Sequence, residues 1–248
     1  MLYPETLRAV DGWWAGVFGC SHTALLPRRP TVVPRPAADA YHGVQAMTFG
    51  EAAPVATISP ALFADFRDPV KAALAGGLDA SAPLWAGIFG AAVEAIVGPA
   101  AVRCADRATF RPLPVSPAVR LLAEGDEPAL ARLRAAVTAT EWEHGGSEIV
   151  HPCAGAFVDG ELAALAGYEV WGKSIAHISV VAHPAHRGRG HAAAAVSRIA
   201  ALALERRLVA QYRTLESNTP SAAIAERLGF VPYARSLAVR LRGEAGGG

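Results

Sequence analysis

The stretch Val180-Val-Ala-His-Pro-Ala-His-Arg-Gly-Arg-Gly-His-Ala192 combines an apolar run, a proline turn and two glycines flanked by arginines. That order predicts a strand, a short turn and the start of a helix. Main-chain N–H groups at a helix N-terminus, backed by the positive end of the helix dipole, attract anions. Glycines at 188 and 190 let an anion approach the main chain where a Cβ would obstruct it. Arg187 and Arg189 add positive charge, and the alanines 192–195 keep the first helical turns slim. A Walker loop is excluded because no Gly-Lys-[Ser/Thr] follows, and the dinucleotide fingerprint G-x-G-x-x-G is absent. A purely structural turn stays open. An RGG nucleic-acid element fits poorly, since Arg-Gly-Arg-Gly occurs once and sits between a strand and a helix. His151-Pro-Cys153 invites a Cys/His nucleophile, yet adjacency in sequence is no triad and a small buried cysteine is common.

The elements that must position this socket follow from periodicity and punctuation. Glu5–Phe18 reads as a helix with Leu7, Val10, Trp13, Trp14 and Val17 at helical spacing. Gly43–Phe49 and Val55–Ile58 read as strands, and Ser59-Pro60 opens a helix to about Ala75, with Ser59 as its N-cap. Ser81-Ala-Pro83 opens another to about Val97, within an apolar run from Leu84 to Val102 that reads as a buried soluble helix. Ala101–Cys104 is then a short strand. The proline-rich segment 111–117 is the clearest linker, so the expected domains are 1–115, 116–241 and a frayed tail, 242–248. Beyond the linker come a strand (Val119–Leu122), a helix (Asp126–Ala139), and a hairpin of Gly155–Val158 and Ala163–Val170 around Asp159-Gly160. A strand (Ile175–Ala182), a long helix (Arg187–Arg207), a strand (Ala210–Leu215), a helix (Pro220–Leu228) and a last strand (Leu237–Leu241) follow. The order β-α-β-β-β-α-β-α-β predicts a mixed α/β sheet flanked by helices. The first half, with its own hairpin, helices and strand, is compatible with a degenerate copy of the same fold.

Composition narrows the class. Hydrophobic residues make up 52% of 248, enough for a sizeable core, and the formal charge is +1, which gives no global attraction to nucleic acid or anionic lipid. Cys20, Cys104 and Cys153 form no C-x-x-C pair, which argues against a disulfide framework or a zinc site and fits a reducing compartment. Glu94 and Pro99 interrupt the longest apolar run, and the N-terminus lacks a signal-peptide pattern. A cytoplasmic protein is expected.

Arg187-Gly-Arg-Gly190-His-Ala192 resembles the [Gln/Arg]-x-x-Gly-x-[Gly/Ala] signature of the GNAT N-acetyltransferase superfamily. Asn218-Thr-Pro-Ser221 followed by Ala225-Glu-Arg-Leu-Gly229-Phe230 resembles that family's second conserved segment. With the element order, the resemblance covers about 117–241 and implies a GNAT fold: a mixed, mostly antiparallel sheet splayed at its central strand. It implies acetyl-CoA as co-substrate and no metal. Main-chain groups of Val180, Val181 and Ala182 would pair with pantetheine, residues Arg187, Gly188, Arg189, Gly190, His191 and Ala192 would cradle the pyrophosphate, and Asn218 and Ser221 would reach the pantetheine arm or brace the splay.

The resemblance also implies direct attack of an amine on the thioester within a ternary complex. An ammonium of pKa about 10 must lose its proton, and a backbone N–H near Val180 is the simplest oxyanion donor. His177 is a workable base, or a hydrogen-bonded strand histidine. Glu141 and Glu143, in a flexible-looking Glu141-Trp-Glu-His-Gly-Gly146 segment, are further candidates, with a solvated loop as the alternative. Glu216 ranks below them. Many relatives carry a Tyr acid where this chain has Ala225, and Tyr233 could substitute or simply pack. The expected function is N-acetylation of a primary amine of a small molecule, with a homodimer left open. The alternatives are a catalytically silent acyl-CoA sensor or a protein or peptide N-acetyltransferase.

Overall fold

The computed structural model describes residues 1–36, 41–145 and 152–242. In chain order, helix α1 (Pro4–Phe18) precedes strands β1 (Thr31–Pro34), β2 (Gly43–Phe49) and β3 (Val55–Ile58), then α2 (Pro60–Ala73) and α3 (Ala82–Phe89). Strands β4 (Val93–Ala105) and β5 (Val119–Leu121) lead to helices α4 (Glu127–Ala136) and α5 (Ala139–Gly145). The rest is β6 (Cys153–Val158), β7 (Glu161–Trp171), β8 (Ile175–Ala182), α6 (His191–Glu205), β9 (Val209–Leu215), α7 (Thr219–Arg227) and β10 (Val231–Leu241). This is the mixed α/β class expected from the sequence.

The chain divides into two compact units, each built from several segments, whereas the sequence reading cuts it once at 111–117. One unit takes in residues 7–102, 214–219 and 232–248; the other takes in 1–6, 103–213 and 220–231. In the first, β1 runs parallel to β3, β3 antiparallel to β2, and β2 antiparallel to β10 through the register Val44↔Val239. Its core joins Val44, Ile58 and Val239 to Leu74, Trp85 and Phe89 of the helical layer. The apolar run at 84–102 corrects the expected long helix. Helix α3 stops at Phe89, Gly90 takes φ 59°, and from Val93 the chain is extended. Uniform apolarity shows no period, so it does not separate a buried helix from a buried strand. Ser59 is corrected too: it makes no side-chain cap, and its hydroxyl instead accepts from the Gly43 N–H at 2.9 Å.

The other unit carries the socket. Strands β5, β6, β7 and β8 pair antiparallel, and β9 joins β8 in parallel. The turn between β6 and β7 places Asp159 and Gly160 at φ 49° and 80°, as the Asp-Gly pair predicts. Helix α6 covers one face, its Ala195, Ile199, Ala200 and Ala203 fully buried against Ala166, Ile178 and Tyr212. Helix α4 covers the other face through Ala129 and Leu133, against Leu165 and Val181. The expected single helix 126–139 breaks at Val137, whose backbone is extended (φ −107°, ψ 157°), and a second helix follows where a loop was expected. Among the described residues no helix is long and apolar enough to cross a membrane.

Candidate functional site

Strand β8 is paired along its whole length on one side only. Its ladder with β7 runs from Ile175 to Ala182, but its ladder with β9 ends at Ile178↔Tyr212. Past that point no strand among the described residues pairs with it on the β9 side, and its main-chain groups need other partners. The Val180 carbonyl turns towards Gly145 of α5, where a Cβ would overlap the oxygen. The Ala182 carbonyl accepts from Nε and from a terminal guanidinium nitrogen of Arg187, both at 3.3 Å. The expectation that both strand residues offer bare main chain to a ligand is corrected for Ala182, whose oxygen Arg187 occupies.

After β8 the chain makes a 3-10 turn (Pro184–His186) and reaches α6 four residues later than the sequence suggested. Gly188 and Gly190 take φ 75° and 86°, left-handed values that a side chain resists. Among the described residues a Cβ at either would meet no atom within 4 Å, so open space lies beside this main chain. Residues 187–190 are all exposed. Gly190 is the N-cap of α6 and brings no side-chain oxygen; the first intrahelical bond is Ala194 N–H to Gly190 O at 3.0 Å. The earlier N–H groups of α6 have no acceptor within the helix. An exposed, glycine-lined mouth with helix-end N–H donors and two arginines fits a diphosphate. His186 Nε2 lies 2.6 Å from Glu161, whose carboxyl it holds below the usual range, and the His186 ring meets His191 edge-on. The loop is thus braced from β7, a feature with no sequence signal because the partners are 25 residues apart.

Residues 119–230 match the profile of the Acetyltransferase (GNAT) family. This segment is a GNAT domain. No curated protein matches the chain. Among solved structures, a GNAT-family acetyltransferase from Novosphingobium aromaticivorans is 26% identical, covering 61% of this chain and 67% of its own, at a TM-score of 0.49. A GCN5-related N-acetyltransferase from Kribbella flavida is 14% identical over 96% of this chain and 98% of its own, at 0.48. An acetyltransferase from Salmonella typhimurium, solved with acetyl-CoA, is 20% identical over 52% and 96%, at 0.35.

The GNAT domain places the four candidate bases as follows. His177 stacks on Trp171 with centroids 3.8 Å apart, and its Nδ1 accepts from the Gln211 amide at 3.2 Å. Burial first, and then the charge of Arg213, push its pKa down to about 3. It sits as a hydrogen-bonded strand histidine. Glu141 is held below the ordinary carboxylate range, chiefly by the Thr138 N–H and hydroxyl, both at 3.0 Å, and then by Arg187 at 2.7 Å. Thr138 Oγ in turn accepts from the Glu141 N–H at 3.2 Å, a reciprocal capping box that opens α5. The Thr-x-x-Glu spacing was readable in the sequence. Glu143 is exposed on α5, two residues before Gly145. That is about 200° around the helix from the face turned to β8. Glu216 belongs to the other compact unit, 2.6 Å from Arg235, which also holds Asp79.

Asn218 lies in that other unit too. Ser221 Oγ is 2.8 Å from the buried hydroxyl of Tyr212. Ala225, at the acid position, is fully buried. Tyr233 donates to Asp11 at 2.6 Å and packs edge-on against Phe49, a structural role. Cys153 is buried, and burial raises its thiol pKa to about 11, which disfavours the thiolate a nucleophile needs. His151, Gly146 and the tail from Gly243 lie outside the described residues.

Proposed function

We propose that the chain is an N-acetyltransferase that takes its acetyl group from acetyl-CoA and places it on a primary amine of a small molecule by direct attack in a ternary complex. The observation that carries this reading is the one-sided ladder of β8 beyond Ile178, followed at once by the open glycine loop before α6. Acetyl-CoA would supply an activated thioester. The chain's own contribution is main-chain donors: N–H groups from Gly188 to Ala192 for the diphosphate, and the Val180 N–H for negative charge on the acyl oxygen. Helix α5, with Gly145 against Val180, walls the acceptor side. The acceptor loses its proton to water, because His177 stays neutral, Glu141 is committed to Thr138 and Arg187, and Glu143 points outward. Rate should therefore climb with pH towards the amine's own pKa and show no step near 6.5.

Thiol release from acetyl-CoA with a panel of amines tests the reaction. Gly190→Val tests the socket. It forces a β-branched residue to φ 86° and fills the open space, so coenzyme A affinity should fall at least about a hundredfold while the chain stays folded. Unchanged affinity in that variant sinks the proposal. The buried Ala225 in the acid position favours one second reading, a silent acyl-CoA sensor. Thermal stabilisation by acetyl-CoA with no turnover on any amine or peptide would select it.

A further inference from the structure

Arg187 and Glu141 are 46 residues apart and meet at the junction of two parts of the GNAT domain. Arg187 opens the diphosphate loop, yet its guanidinium turns back along the strand to the Ala182 carbonyl and to Glu141 Oε1 at 2.7 Å. Glu141 Oε2 meanwhile closes the capping box that starts α5, and α5 sets Gly145 against the Val180 carbonyl. One carboxylate therefore touches the first turn of the acceptor-side helix and the first residue of the diphosphate loop. We infer that Glu141 is a positioning residue that couples the two: it fixes Arg187 against the end of β8 and so makes the order of α5 depend on occupancy of the loop.

This inference rests on the coenzyme A reading above. A diphosphate arriving at Gly188–Gly190 tightens the arm by which Glu141 holds Arg187, and that change reaches α5 through the single carboxylate. The pair is partly exposed, with side-chain exposures of 48% for Arg187 and 39% for Glu141. Its effect is accordingly modest, a few-fold in affinity. Glu141→Gln separates the two roles, since Gln also closes a capping box but carries no charge for Arg187.

The test is calorimetric titration of the full chain with coenzyme A, for the wild type, Glu141→Gln, Arg187→Ala and the double variant, joined to amide exchange over residues 139–145. Each single variant should bind about two- to fivefold more weakly, and the double variant no more weakly than the weaker single, because both remove one interaction. Coenzyme A should change exchange in α5 of the wild type and leave it unchanged in Glu141→Gln. Thr138→Ala, which removes a cap but keeps the ion pair, should loosen α5 without ligand and still respond to coenzyme A. Losses that multiply in the double variant, or wild-type affinity in Glu141→Gln, overturn the coupling and leave the acetyltransferase reading standing. No binding by the wild type overturns the parent reading and the coupling with it.

Discussion

Burial first, and then the charge of Arg213, favour the neutral form of an imidazole that stacks on an indole and accepts an N–H from Gln211. The folded pKa of His177 lies near 3 and the unfolded one near 6.5, so between them the unfolded chain binds more protons. Its contribution to stability is full above about pH 6.5 and is lost as pH falls towards 3, with a slope of up to about 1.4 kcal/mol per pH unit. His177→Gln should flatten the acid limb of a melting-temperature-against-pH curve and leave the shape of the pH–rate profile alone. A wild-type imidazole that titrates near 6.5 by NMR would remove the argument. The residue type was legible at position 177. Its ionisation was not, because Trp171, Gln211 and Arg213 reach it from outside its own strand.

Elements answer to more than their own composition. The break between α4 and α5 is written in Thr138-x-x-Glu141, a local signal, but the reason a glycine stands at 145 is not local. Gly145 sits where any Cβ would overlap the Val180 carbonyl, so Gly145→Ala should push the helix off β8. The expected cost is about 1–3 kcal/mol in urea unfolding, with a larger rise in KM for the amine than for acetyl-CoA. Equal rises, or no loss of stability, would show that α5 does not wall the acceptor side. Residues 84–102 show the opposite failure: nothing in this largely apolar run says that it turns from helix to strand at Gly90, since the choice falls to the strands available to pair with it.

At the scale of the molecule, the GNAT-bearing unit depends on chain far from its motifs. Asp106 is buried and accepts from the Tyr3 N–H at 2.7 Å, the Thr6 hydroxyl at 2.9 Å, and the N–H groups of Ala108 and Thr109. Residues 1–6 are thereby fixed to the same unit as 103–213. Asp106→Ala leaves the donors of the buried Thr6 and Thr109 unsatisfied and should cost about 2–4 kcal/mol, each orphaned group carrying a desolvation penalty of about 1–3 kcal/mol. Limited proteolysis should then cut the chain near its N-terminus, and an intact, fully stable variant would contradict this account.

The sequence by itself determined whatever is decided within a few residues: the Asp-Gly turn, strand β8, the glycine loop before α6, and the order of elements that marks the superfamily. These rest on φ preferences, side-chain period and free helix-end donors, all local properties. It took the assembled fold to show that β8 loses its β9 neighbour after Ile178, that Ala182 is already taken by Arg187, that Glu141 closes a capping box and meets Arg187, and that β10 pairs with β2. Each of those depends on which distant groups arrive at one place, and the chemistry of a carboxylate or an imidazole is set by that company rather than by its position in the chain.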